Sequence, residues 1–394
     1  MSVSITTKEI LYGFYHFPMA ITAPFISWYF FTLSGGDFLG SGLIITIPYI
    51  FLIFSTAIFG GLSDKIGSRT VVLASLAMYS VSFLSYYFIG DNPELFFLAY
   101  IGFNIIISAF IPAFNRLISF EENNRAERFG RLGMMASIGF LIGSFVVSLL
   151  IDRINFLTMF LMASGVSFFT FLLAFKLREP TSSFNEFNQT QTYLTSPINY
   201  SRHKREKKPI IMILILFFIS QLTNSFSFSF FAIFIEFEMK QPVSWVGVIN
   251  TVATFLGIGG TYLVGNITQK IKNRKPLVVL ALILYPLLPL GVLILINPIF
   301  VFILYCIPVY SIFFVLIPVI ISENSLGSER GRLMGYYSAS QNGAFSIGTF
   351  FGAVFASING VIRPNFLIAV LFGLLGLIIG VFFFEDPSLE KSQV

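Results

Sequence analysis

Long apolar runs, separated only by short polar or charged connections, set the terms for any fold this chain can take. Twelve can be marked, near residues 9–33, 38–62, 69–90, 94–119, 131–151, 155–177, 210–237, 243–267, 276–296, 298–321, 333–357 and 364–384. Each matches the ~20 residues that an α-helix needs to cross the hydrocarbon core of a bilayer. The runs are continuous and do not alternate with period two, which excludes a membrane β-barrel. Hydrophobic residues are 56% of the 394 and charged residues 11%, against about 25% charged in ordinary soluble domains. The expected class is an all-α membrane protein of twelve spans, numbered 1 to 12 below.

The formal charge of +5 would suit a nucleic-acid partner, but the distribution of the basic residues gives another reading. With both chain ends on one side, that face collects 21 of the 24 Lys and Arg, and only Arg153, Lys240 and Arg363 fall on the other. Such a bias marks the cytoplasmic face of a membrane protein, and a missed span would scramble it. The protein is therefore expected in the cell membrane, multi-pass, with both termini cytoplasmic. No nucleic acid partner is expected. Residues 1–10 lack a basic stretch followed by a small-residue cleavage site, so span 1 is expected to be retained. Cys306 stands alone, which leaves no intramolecular disulfide.

Between spans 2 and 3 lies Gly60-Gly61-Leu62-Ser63-Asp64-Lys65-Ile66-Gly67-Ser68-Arg69. Ionised side chains cost roughly 3 kcal/mol or more at the bilayer centre, so this segment belongs at a membrane face. It is expected as a tight charged turn, with Gly60 ending the incoming helix or packing closely and Gly67 able to take φ > 0. The pattern G-x-x-x-D-(R/K)-x-G-x-(R/K) resembles the signature loop of the major facilitator superfamily. An internal repeat agrees with that resemblance. Gly60, Lys65, Ile66 and Arg69 recur as Gly265, Lys270, Ile271 and Arg274, each 205 residues later. Glu127 to Leu132 before span 5 is echoed by Glu329 to Leu333 before span 11, and Pro112 by Pro318. A six-plus-six parallel repeat is the arrangement already described for this family.

The expected domains are an N-terminal six-helix bundle, 1–177, a polar and then basic cytoplasmic linker, 178–209, and a C-terminal six-helix bundle, 210–394. The resemblance implies that the two bundles are related by a pseudo-twofold axis. It also implies that the acid of the loop helps latch the cytoplasmic ends. The expected gating set is Gly60, Asp64, Lys65, Gly67, Arg69, Arg128, Arg131, Arg330 and Arg332. In the second copy Gln269 replaces the acid and Lys272 replaces the glycine. Drug exporters of the family often carry an arginine midway along helix 4 and a Gly-Pro pair in helix 5. Here Tyr100 falls near the first position and Ser137 to Ser144 lacks proline, so neither that subfamily nor the sugar porters are established.

Small residues recur at every fourth position in span 5 (Gly139, Gly143), span 8 (Gly257, Thr261, Gly265) and span 11 (Ala344, Gly348, Gly352). Such stripes let helices approach closely in lipid, and by resemblance these spans meet across the two halves. The resemblance also implies that spans 1, 4, 7 and 10 line a central cavity. Polar residues share a face on span 1 (Tyr12, His16), span 4 (Asn104, Ser108), span 7 (Gln221, Asn224, Ser225, Ser229) and span 11 (Ser338, Gln341, Asn342). The expected substrate contacts are His16, Asn104, Gln221, Asn224, Tyr310 and Gln341. No Asp or Glu sits at mid-depth in any run, so His16 and Glu236 are the proton-coupling candidates.

The resemblance implies a secondary active transporter of a small organic solute working by alternating access. The expected mode is proton-coupled efflux of the drug or metabolite exporter type. Uptake or facilitated transport of a sugar or other metabolite, and a transporter-like sensor that moves nothing, are the alternatives. The expected partners are the solute, the lipid bilayer and protons, with the chain acting as a monomer. No metal or cofactor is expected. With only His16 and His203 and no acid in a span, no catalytic set is present, and the chain is not read as an enzyme.

Overall fold

The computed structural model describes residues 6–119, 125–178, 208–271, 273–295, 297–324 and 327–386. Side chains at 56, 57, 60, 64, 119, 125–129, 208, 269, 322 and 327–331 fall outside that description. The expected linker thus lies almost wholly outside the described residues, as do the side chains of Gly60, Asp64, Arg128 and Arg330.

The described residues form helical rods joined by short connections. Span 1 comprises Thr7–Thr22, a 3-10 turn Ala23–Phe25 and Ile26–Leu33. Spans 2 and 3 are Phe38–Ile66 and Ser68–Ile89, and span 4 is split into Pro93–Ile107 and Phe110–Ser119. Spans 5 and 6 are Arg125–Leu150 and Phe156–Ala174. Span 7 runs through Lys208–Phe228 and Phe231–Ile233 into a π turn, Phe234–Glu238. Spans 8 and 9 are Ser244–Lys270 and Lys275–Ile294, and span 10 is split into Pro298–Tyr305 and Tyr310–Asn324. Spans 11 and 12 are Gly327–Asn359 and Arg363–Phe383. Among the described residues, ten helices are long and apolar enough to cross a membrane. Span 1, with Tyr12, His16, Pro18 and Pro24 along it, and span 11, rich in Ser, Gln and Asn, are the two rods outside that set.

Spans 1, 4, 7 and 10 are the broken ones, and the sequence explains each break. Proline lacks the N–H for the i→i−4 bond and its ring presses on that carbonyl. Pro24 and Pro308 therefore sit at the interruptions of spans 1 and 10, and Pro112 directly follows the break at Ser108–Ala109. Span 7 has no proline near its break at Ser229–Phe230. Instead its hydroxyls bond back along the helix, Thr223 to the Ile219 carbonyl (3.0 Å) and Ser227 to that of Thr223 (3.2 Å), a pairing that bends helices. Pro318, read as the counterpart of Pro112, lies inside an unbroken helix.

The charged segments are more helical than expected. Span 2 continues through Asp64 and Lys65 to Ile66, so Gly60 does not end it. The turn is Gly67 alone, with φ +89°, closing one helix and opening the next. Residues 127–132 and 329–333 likewise lie within spans 5 and 11, not before them. Beyond the hydrocarbon, polar side chains are solvated while the backbone keeps its helical bonds, so a helix can overrun the bilayer.

The packing is duplicated. Span 1 lies on spans 5 and 6 as span 7 lies on 11 and 12, and span 3 packs on span 6 as span 9 does on 12. Arg69 at the start of span 3 donates to the Phe175 carbonyl just past span 6 (3.2 Å). Its counterpart Arg274 meets Asp386, just past span 12, through its backbone N–H. Arg274 also forms a bidentate pair with Glu323 (2.7 and 2.9 Å), the geometry in which arginine and carboxylate bind most strongly. In the first half, Arg131 reaches Glu9 (3.3 Å), whose carboxylate also accepts the Thr6 N–H in a capping box.

Across the repeat, span 2 packs on span 11 and span 5 on span 8. The small-residue stripes mostly serve other seams. A Cβ on Gly139 would lie 1.9 Å from the Gly13 carbonyl oxygen, and one on Gly143 would lie 2.5 Å from that of Phe17, so this stripe joins span 5 to span 1. One on Gly348 would lie 1.8 Å from the Ser225 hydroxyl, joining span 11 to span 7. Gly257 abuts Tyr310 of span 10. The halves approach instead at Gly42, against Ala353, and at Gly247, against Ser148.

Candidate functional site

A cavity of about 400 Å³ lies between the halves. Span 1 contributes His16, span 5 contributes Ala136, Ser137 and Phe140, and span 7 contributes Gln221, Asn224 and Ser227 among others. Asn250 and Thr254 come from span 8, Tyr285 and Pro289 from span 9. Tyr305, Tyr310 and Phe314 come from span 10, and Gln341 and Phe345 from span 11. The volume sits toward the lower end of the roughly 300–1,000 Å³ of ordinary ligand sites.

The breaks place several of these groups. Tyr305 ends the first piece of span 10 and Tyr310 begins the second, so the interruption turns both into the cavity wall. Gln221 donates to the Tyr285 hydroxyl (3.3 Å), fixing an amide of span 7 against span 9. His16 contacts the rings of Tyr12 (centroids 4.6 Å) and Tyr15 (5.2 Å), and its Nδ1 lies 2.8 Å from the Tyr12 carbonyl oxygen. A ring nitrogen facing a carbonyl acts as donor, so Nε2 is the free acceptor of the neutral ring.

Of the expected substrate contacts, His16, Gln221, Asn224, Tyr310 and Gln341 line this cavity. Asn104 does not, and its Nδ2 donates to the Tyr100 carbonyl one turn back (2.8 Å). The polar face read on span 7 divides. Gln221 and Asn224 face the cavity, whereas Ser225 bonds the Ala344 carbonyl (3.2 Å) and Ser229 bonds Thr349 (2.6 Å) on span 11. Asn250 and Thr254, four apart on span 8, carry a readable signal but are missing from the expected set. Tyr285, between apolar neighbours on span 9, carries none.

One end of the inter-half seam is sealed. This is the far face, opposite the one carrying the basic loops. Trp28 Nε1 donates to the Glu236 carboxylate and Ser27 to the Ser229 carbonyl (2.7 Å). Phe31 meets Phe237 edge-on (5.1 Å), and the Ser244 N–H reaches Asp152 (3.3 Å). Nearer mid-span, Tyr49 stacks on Phe345 (5.2 Å). The buried core of the first half runs without interruption into Phe230 to Ile235, Ala353 and Phe366 of the second. The core around Ile213, Leu282 and Phe313, toward the basic face, is separate. There spans 2, 5, 8 and 11 carry Gly61, Gly130, Gly133, Gly265 and Gly335, with nothing within 4 Å of where a Cβ would stand. Glu236, a proton-coupling candidate, therefore belongs to the far-face seam and not to the cavity wall.

A family model described as Major Facilitator Superfamily matches residues 10–325. The chain belongs to that superfamily. The uncharacterized MFS-type transporter YhjO of Bacillus subtilis (strain 168) is 29% identical over 157 residues, 39% of each chain. Multidrug resistance protein MdtG of Rahnella sp. (strain Y9602) is 26% identical over 185 residues, 44% of each. The matches thus span about two fifths of the length of these relatives. Among solved structures, the nucleoside transporter NupG superposes with a TM-score of 0.74 over 95% of this chain and 97% of its own, at 16% identity. That likeness shows the superfamily fold alone: a membrane protein built of paired helical bundles.

Proposed function

We propose that the chain is a secondary transporter that carries a small organic solute across the cell membrane by alternating access. The observation that supports this best is the cavity's position, walled by both halves and lying behind a seam sealed on one face only. On the positive-inside distribution the basic face is cytoplasmic, along with both termini, and the conformation described here is then inward-facing. Residues 1–177 and 210–394 act as two rigid units, with His16, Gln221, Asn224, Tyr310 and Gln341 contacting solute. Asp64, with Arg69, Arg128, Arg131, Arg330 and Arg332, closes the cytoplasmic side when the far face opens. The direction is export driven by protons, a reading supported by the similarity to a protein named for multidrug resistance.

Flux into proteoliposomes with and without an imposed pH gradient tests this. Gradient-dependent flux is expected, with His16→Gln or Glu236→Gln uncoupling it from pH. Unaltered coupling in both variants would remove them as proton sites. Asp64→Asn is expected to slow transport while the protein stays folded. Ligand binding without any net flux would identify a sensor instead.

A further inference from the structure

Two matching corners at the basic face, where span 3 meets span 6 and span 9 meets span 12, arrange charge differently. In the second half the chain supplies the anions: Glu323 takes the Arg274 guanidinium bidentately and Asp386 its backbone N–H. Leu117 follows Pro112 at the same spacing as Glu323 follows Pro318, so the first half has a buried apolar residue in that acid's place. Its corner instead holds a surface cavity of about 540 Å³ lined by Arg69, Phe175, Lys176, Leu177 and Arg178. The described lining residues thus comprise three cations and no carboxylate. Glu179 and the Asp64 side chain lie outside the described residues; counting both, together with Lys65, still leaves four cations against two acids.

Local structure gathers these cations beside an apolar surface. The N–H groups of Lys176 and Leu177 donate to the carbonyls of Leu173 and Ala174 (3.1 and 3.0 Å), which winds the end of span 6 into a tight turn. Leu177 is buried there, and Lys176 and Arg178 on either side of it are exposed. The Arg69 guanidinium is tied to the same turn through the Phe175 carbonyl (3.2 Å). Running from this corner into the bilayer, Phe168, Leu172 and Phe175 share one face of the end of span 6, each about half exposed. Apolar side chains exposed on a membrane span meet acyl chains. A soluble phosphate would use the cations alone, whereas a phospholipid would use the apolar stripe as well.

From the cations and the stripe that leads to them, we propose that this corner binds the phosphodiester headgroup of an anionic phospholipid of the cytoplasmic leaflet, with the acyl chains along span 6. Basic pockets between spans on the cytoplasmic side suit such headgroups, and guanidinium groups bind phosphate oxygens through paired hydrogen bonds. The site shares no lining residue with the solute cavity, and it stands whether or not the protein moves solute.

Native mass spectrometry of the purified full-length protein tests this, with dioleoyl phosphatidylglycerol (anionic) and dioleoyl phosphatidylcholine (zwitterionic) titrated as probes. Phosphatidylglycerol is expected to bind about tenfold more tightly or better, and millimolar glycerol 3-phosphate is expected not to displace it. Lys176→Gln/Arg178→Gln is expected to abolish that preference, each charge accounting for about fivefold. Its melting temperature should be unchanged, because both side chains are exposed. The matching change at the second corner, Lys270→Gln/Lys275→Gln, is expected to keep the preference. If the first double variant does not fold, Lys176→Gln alone is expected to weaken phosphatidylglycerol about fivefold. Equal affinity for the two lipids, unchanged affinity in the folded variant, or an equal loss in the second-corner variant would overturn the inference. Displacement by glycerol 3-phosphate would assign the cations to soluble phosphates and overturn the lipid.

Discussion

The two ends of the inter-half seam are built differently. At the far face the helices touch through backbone and small side chains, Gly42 on Ala353 and Gly247 on Ser148, with Trp28–Glu236 and Ser27–Ser229 across the top. At the basic face the same spans carry longer polar ends and glycines with open space around them. Within each half the seams are closer still, as Gly139 on Gly13 and Gly348 on Ser225 show. In lipid there is no hydrophobic force to hold helices together, so close backbone contact and hydrogen bonds of about 0.6 kcal/mol each do that work. A few such bonds at one end can be exchanged for others, while the continuous small-residue seams inside a half cannot be parted without large loss. The difference supports the proposed reading in which the halves are the rigid units and motion occurs between them.

The largest break in this comparison should come from filling a seam inside a half. Gly139→Val places atoms where the Gly13 carbonyl already stands, and is expected to cost about 3 kcal/mol or more. Size-exclusion profile and melting temperature check it, and a normal yield of stable protein would mean the seam is not rigid. Gly42→Val at the far face should instead leave the protein folded and open that face. In a Cys306→Ser background, an impermeant maleimide should label Thr349→Cys from the far side about tenfold faster in this variant. Glu236→Gln should have a smaller effect, because it weakens one charge-assisted bond to Trp28 by about 1 kcal/mol. Tryptophan fluorescence of Trp28, with Trp245 replaced by Phe, reads that loss. The smallest effect is expected from Gly335→Ala, into open space, with stability unchanged within about 0.5 kcal/mol; a large loss there would show that the basic end is packed.

Much of this was legible in the chain. The apolar runs gave the rods to within a few residues because twenty apolar side chains have few stable arrangements besides a spanning helix. The 205-residue repeat gave the duplicated architecture, and Gly67 gave the turn. Charged helix ends were misread, since Asp64 and Lys65 mark where hydrocarbon stops and not where the helix does. The stripes of spans 5 and 11 announced close contact but not the partner, because a small residue permits approach from any neighbour. Asn104 failed for a related reason: an amide in a span can satisfy itself on its own helix, as it does on Tyr100. Tyr310 was expected at the cavity and Tyr305 was not, and only the break between them shows that both reach it.

Pulsed-EPR distances across the two ends of the seam test the central claim most directly. Spin labels at Lys65 and Lys270 report the basic end, and labels at Arg153 and Asn359 report the far end. Forcing the far seam apart with Gly42→Trp should lengthen the far pair and shorten the basic pair together, as two rigid halves rocking about a shared cavity require. A far pair that lengthens while the basic pair stays fixed, or lengthens with it, would contradict the account.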